Sequence, residues 1–152
     1  SGVAVIHVGG ATQVEMTEKK HRVEDALEAV RSAQEEGVIG GGGTALLRAS
    51  NSVEITVDHE EQSIGMAIVK RACEAPFRQM CQNSGKSEDL LLNHILSEPD
   101  NMGYDFRTGN LTDLYNRGIL DPVRVTKSAL QNAASCAGTL ITTNYGIIQV
   151  DQ

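Results

Sequence analysis

Four consecutive glycines, Gly40 to Gly43, stand directly before the segment TALLRAS. A run of this kind can turn backbone N–H groups and the positive end of a helix dipole toward an anion, most often a phosphate. It lacks the Lys and Ser/Thr of a Walker A loop and the spacing of a dinucleotide fingerprint, so on pattern alone a tight structural turn is the simpler reading. Asp25 has His21 four residues before it and Arg22 three before it. A solvated ion pair along a helix accounts for it; the chemical alternative is a carboxylate, carried on an arm that can approach a nucleotide, that orients a water for attack on phosphate. Asp121 precedes Pro122 and fits a helix N-cap worth about 1 kcal/mol, with proline at the first helical position. Such a carboxylate can still offer one oxygen to a ribose hydroxyl. His7, His21, His59 and His94 are scattered, and Cys73, Cys81 and Cys136 form no CxxC pair, so neither a metal site nor a disulfide framework is expected. His59-Glu60-Glu61 could hold a stray cation weakly. Lys19, Lys20, Glu35 and Glu36 read most simply as a solvated helix face.

The elements that must position these residues are set by composition first. The chain has 152 residues, no Trp, 2 Phe and 3 Tyr, so its core must be aliphatic and Ala-rich, which favours packed helices in one domain-sized unit. A formal charge of −7, with no basic run longer than Lys19-Lys20, argues against a nucleic-acid groove or an anionic membrane surface. No apolar run reaches the roughly 20 residues that span a bilayer and no basic-then-apolar signal opens the chain, so the expected location is the cytoplasm or an organellar matrix.

Local patterns then divide the chain. Residues 2–8, GVAVIHV, alternate as a strand does and end at Gly9-Gly10. Thr12 with Glu15 fits a capping box opening a long helix to Glu36, with Val23, Leu27 and Val30 at helical spacing and Gly37 closing it. TALLRAS resumes a helix, residues 51–59 read as a loop, and residues 60–73 form a helix. A separate helix is expected from Pro76 to Gln82, and another from Ser87. Gly103 to Phe106 and Leu111 to Leu114 flank a four-residue hairpin turn, Arg107 to Asn110. Asp121-Pro122 starts the last helix, and a strand runs from Tyr145 to Val150. The expected fold class is α+β, mainly α.

The stretches GVAVIHVGGATQVEMTEKKHRVEDAL, EEGVIGGGGTALLRAS and GYDFRTGN…GILDPVRVTKSALQNAASCAGTLITT closely resemble, in order and spacing, the C-terminal part of group I chaperonins of the GroEL type. The resemblance implies that residues 1–36 are the C-terminal half of an intermediate domain and 37–152 the C-terminal half of the equatorial, ATP-binding and ring-forming domain, with Gly37 as the hinge between them. It implies that Asp25 is the catalytic aspartate swung onto the nucleotide. It further implies that Gly42 lines the nucleotide pocket, that Asp105 and Phe106 sit against the adenine and its sugar, that Ile119 walls the base, and that Asp121 binds ribose. Phe106 is a departure, since a small residue is common there; it is expected to be tolerated or to stack on the base if the contact is through the backbone, and to weaken nucleotide binding if space is tight. Gly40 also departs from the usual pattern, adding backbone freedom. Gly85-Lys86-Ser87 stands where many members carry acids between rings, and the strand from Tyr145 resembles one that joins neighbouring subunits.

The implied cofactors are ATP and Mg²⁺, with the metal ligands mostly outside this chain. Implied partners are other subunits of a homo-oligomeric ring, together with co-chaperonin and unfolded polypeptides through an apical domain absent here; nucleic acid and membrane are not expected. As a fragment the chain is expected not to hydrolyse ATP alone. A rival expectation is a non-catalytic helical interaction module derived from a chaperonin, and a third is a free-standing mononucleotide-binding domain built on the glycine turn.

Overall fold

In the computed structural model, which describes residues 2–149, six helices and four short strands follow one another. They are α1 (Gln13–Glu36), β1 (Val38–Gly40), α2 (Thr44–Ser52), α3 (Glu60–Asn83), α4 (Glu88–Ser97), β2 (Met102–Asp105), β3 (Asn110–Asp113), α5 (Leu114–Arg117), β4 (Leu120–Pro122) and α6 (Val123–Ile141). The mainly helical α+β class expected from the sequence is the one observed.

Helix α1 begins as its capping pattern requires. Thr12 Oγ1 accepts from the Glu15 N–H at 3.2 Å, and the Glu15 carboxylate accepts in turn from the Ala11 N–H at 2.8 Å, so two donors at the helix start are satisfied. At the other end Gly37 takes φ 85°, a conformation that side chains resist, and its N–H donates to Ala33. No residue of α1 is buried. Its last turn is tied to α6 by ion pairs of Glu35 with Arg124 and of Glu36 with Lys127, while the Val123 N–H donates to the Gly37 carbonyl at 3.1 Å.

The core takes no residue from α1: Leu47 of α2, Phe77 and Cys81 of α3, Leu92 and Ile95 of α4 and Tyr104 of β2 pack together. Burial on this scale explains why α3 runs unbroken through Pro76, against the expectation of two helices. The proline removes one N–H from the ladder, but Cys73, Phe77 and Cys81, all buried, lie on one face across that point. Breaking the helix would expose them.

Arg48 joins α2 to the end of α4. Its Nη2 lies 2.9, 2.8 and 2.9 Å from the carbonyls of Ile95, Pro99 and Met102, and its Nη1 donates to the Glu98 carbonyl at 3.1 Å and to Asp100 at 3.2 Å. A helix leaves its last carbonyls without partners, and one planar guanidinium gathers several of them here.

Strands β2 and β3 form the expected hairpin one residue earlier than predicted: Asp105 pairs with Asn110, and the loop is Phe106 to Gly109, with Gly109 at φ 76°. Strands β1 and β4 pair antiparallel, Ile39 opposite Asp121. This pairing corrects the reading of Asp121 as an N-cap. Asp121 is held in β4, α6 starts at Val123, and no side chain caps it.

Two expected strands are also corrected. Residues 2–8 form no strand and neither do residues 145–149, whereas Val150 lies outside the described residues. An isolated strand leaves its N–H and C=O groups to water, and neither segment meets a partner among the described residues. Both are strongly exposed at Val3, Tyr145 and Ile147. Among the described residues no helix is long and apolar enough to cross a membrane.

Candidate functional site

The glycine run is shaped by what presses on it. A side chain at Gly43 would place its Cβ 2.9 Å from the Phe77 backbone nitrogen, at φ 72°, so nothing larger than glycine fits between α2 and α3. A Cβ at Gly41 would lie 3.2 Å from the Ile119 carbonyl, to which the Gly41 N–H donates at 2.9 Å. Gly42 differs: its φ is 68°, yet a Cβ there would meet only ordinary contact, 3.7 Å from the Tyr104 carbonyl. It borders an open groove of about 560 Å³ with Met80, Tyr104, Asp105, Phe106, Arg107, Arg117 and Ile119. Among the described residues the N–H groups of Gly42 and Gly43 donate to no protein acceptor.

Four of the six residues singled out from the sequence, Gly42, Asp105, Phe106 and Ile119, therefore line one cavity. Asp105 is buried and spends its carboxylate on the hairpin loop. One oxygen accepts from the N–H groups of Arg107 and Thr108 at 2.9 and 3.3 Å, and the other accepts from the Thr108 hydroxyl at 2.8 Å. The Thr108 hydroxyl is the main reason the Asp105 carboxyl titrates below its ordinary value, with the loop N–H groups and Arg117 adding to it. The stability it lends is present above the ordinary carboxylate pKa and is lost as pH falls through the lowered one.

Phe106, the departure from the usual small residue, packs against two other aromatic rings. Its ring packs 5.0 Å from Tyr104, edge to face, and 5.8 Å from Phe77, centroid to centroid. The ring is anchored on the core, and its remaining surface forms part of the groove wall.

Asp121 lies beside this groove. It lines a neighbouring cavity of about 300 Å³ with Gly43, Pro76, Val125 and Met80, and Met80 borders both spaces. Among the described residues the Asp121 carboxylate receives no hydrogen bond, and burial pushes its pKa above the ordinary 3.8. The folded protein then holds a proton more tightly than the unfolded chain, so stability declines as pH rises from about the ordinary value through the raised one. Asp121→Asn is expected to raise the melting temperature at pH 7 and to leave it unchanged well below pH 3.8. Calorimetry across pH checks this, and equal melting curves at pH 7 would contradict it.

Asp25 is not brought to the groove. It is exposed on α1, and among the described residues it makes no ion pair, because Arg22 pairs with Glu18 instead. The simple ion-pair reading of Asp25 thus lacks its partner. Arg107, Arg117, Tyr104 and Met80 line the groove without having been singled out from sequence. Among the described residues no group of three or more His, Cys, Asp and Glu could hold a metal ion. The side chains present suit a flat base against Met80, Phe106 and Ile119 and a hydroxylated sugar at Asp121, while ligands for Mg²⁺ would have to come from outside the described residues.

A mainly helical α+β unit with a long exposed arm that meets a small two-stranded sheet, whose β4 carries Asp121 beside the groove, is the class of protein that fold and site define. The family model of the TCP-1/cpn60 chaperonins matches residues 1–151, and the chain belongs to that family. A solved structure described as a group III chaperonin in the open state is similar over 92% of this chain, with a TM-score of 0.78 and 29% identity. The chain spans 30% of that neighbour's length. The sequence motifs resemble group I members and this neighbour is of group III, and the two groups are not told apart by these comparisons.

Proposed function

We propose that the chain is part of an ATP-dependent chaperonin subunit that assists protein folding and refolding in a ring assembly, and that it forms the C-terminal part of the intermediate domain up to residue 36 and of the equatorial domain from residue 37. Gly42 lines the nucleotide pocket, Asp105 and Phe106 sit against the base and its sugar, Ile119 walls the base, Asp121 holds the ribose, and Asp25 approaches on α1 to orient the attacking water. Bound Mg²⁺ would offset phosphate charge during transfer. The observation that carries this reading is the convergence of Gly42, Asp105, Phe106 and Ile119 on one groove, with Asp121 across Met80. Other subunits are the proposed ring partners; co-chaperonin and unfolded polypeptide would bind a domain outside this chain, in the cytoplasm or an organellar matrix.

The test is the intact mass of the native gene product and of its assembly, with ATP turnover measured on the same preparation. A subunit several times 16.3 kDa in a large ring that hydrolyses ATP supports the reading, and residues 1–152 alone are expected to show no turnover. A native mass equal to this chain, with no nucleotide binding, overturns it. That result would favour an interaction module, a reading drawn from the exposed apolar residues Val3, Val5, Tyr145, Ile147 and Ile148.

A further inference from the structure

Two guanidinium groups border the groove and have no part in the function proposed above. Arg107 follows Phe106 in the hairpin loop and Arg117 ends α5. With Asp105 they are the groove's charged side chains, two cations against one carboxylate in a chain of formal charge −7. Asp105 is held by its loop, so it is a fixed post, and the Arg117 Nε stands 3.6 Å from its Oδ2. Steered through Nε, Arg117 keeps its Nη edge without an acceptor among the described residues. The Arg107 side chain has none either.

A guanidinium edge carries donors only, and its paired N–H groups match two acceptors lying in one plane. Phosphate and carboxylate present such pairs. So does the O6/N7 edge of a 6-oxopurine, whereas a 6-aminopurine sets an amino donor where the second acceptor is needed. The position of Arg117 separates these. Asp121, the proposed sugar ligand, lines the cavity that shares Met80 with the groove, and Arg117 lines the groove together with Phe106 and Ile119, the residues proposed to hold the base, so a base seated there has the Arg117 guanidinium on the same wall.

We propose that Arg117 selects the base in this groove, donating from its Nη edge to O6 and N7 of a 6-oxopurine, so that guanine and hypoxanthine nucleotides are bound in addition to adenine nucleotides. The inference rests on the nucleotide reading above and names a further ligand class for the same groove. Arg107, also on the groove wall, widens the positive rim without an ion pair to a fixed carboxylate among the described residues.

The experiment is calorimetric titration of the full-length native product with ADP, GDP and IDP at one salt concentration, for the parent, Arg117→Met and Arg107→Met. Arg117→Met is expected to lower the ratio of GDP to ADP affinity at least tenfold, to lower the IDP to ADP ratio by a similar factor, and Arg107→Met to change either ratio less than threefold. IDP isolates the O6/N7 edge because it lacks the guanine amino group. An unchanged ratio in Arg117→Met overturns the proposal, as does an equal loss for all three nucleotides, which would place Arg117 on the shared sugar or phosphate. Binding of ADP but not GDP or IDP by the parent overturns the proposal while leaving the nucleotide reading intact. Binding of none of the three removes both.

Discussion

Replacing Asp25 by alanine in the full-length native product is expected to lower steady-state ATP turnover at least a hundredfold while ADP affinity changes less than threefold. The magnitude is that of a positioned carboxylate acting on the attacking water, which typically contributes about 10² to 10⁴ in rate. The split between turnover and binding follows from geometry. Asp25 is exposed on α1 and lines neither cavity, so in this conformation it makes no contact that would hold ground-state nucleotide. Single-turnover hydrolysis and equilibrium binding measured on the same preparation check both halves. Turnover within threefold of the parent would remove Asp25 from the mechanism, and a parallel loss of affinity would make it a binding residue.

Arg48→Met is expected to cost the isolated chain about 3 kcal/mol or more, read as a lower urea midpoint with an unchanged slope. Methionine keeps much of the apolar stem but supplies no donor. The carbonyls of Ile95, Glu98, Pro99 and Met102 then lose their shared partner, and part of this surface is closed to water because the Arg48 side chain is 15% exposed. Exposed ion pairs contribute little, so the loss should persist in Asp100→Ala only as a small fraction, under about 1 kcal/mol, since that carboxylate is 98% exposed. Arg48→Lys should recover less than half, because a compact ammonium cannot span the fork of carbonyls. A loss below 1 kcal/mol for Arg48→Met would show that water replaces the guanidinium.

What could be read from the sequence was mostly what neighbouring residues decide among themselves. Thr12 and Glu15 announce the start of α1 because a cap is a contact across three residues, and Gly37 announces its end for the same reason. The glycine run before α2 and the hairpin around Arg107 to Gly109 were legible on the same grounds, though the hairpin loop begins one residue earlier than its sequence suggested. Readings failed where a distant partner overrides a local rule. Pro76 looks like a helix start, but Cys73, Phe77 and Cys81 keep α3 continuous by burial. Asp121-Pro122 looks like a cap, but pairing with β1 holds both residues in a strand. The apolar alternation of residues 2–8 is real, yet a strand also needs a neighbour, and none lies beside it among the described residues. The site was legible chiefly through the family resemblance, which named four of the groove's residues. Arg117 and Arg48 were invisible because a lone arginine gives no sign in sequence of where its side chain will reach.

The short sheet at the base of α1 has a geometric consequence. Asp25 stands twelve residues from Gly37, which at helical rise puts it on a radius of about 18 Å from that pivot. A rotation of about 20° would sweep its carboxylate along an arc of about 6 Å, two hydrogen-bond lengths, while barely displacing the pivot itself. Resistance at the near end comes from Glu35 with Arg124 and Glu36 with Lys127, pairs on the surface whose loss costs about 0 to 1 kcal/mol each. Asp121 sits on β4 directly opposite Ile39, two residues beyond the pivot on β1. With Gly37 as the hinge and Asp121 as the sugar ligand, as proposed, a small shift at the sugar would be applied close to the axis and read out far from it, and the sheet would act as a gear with a long output arm.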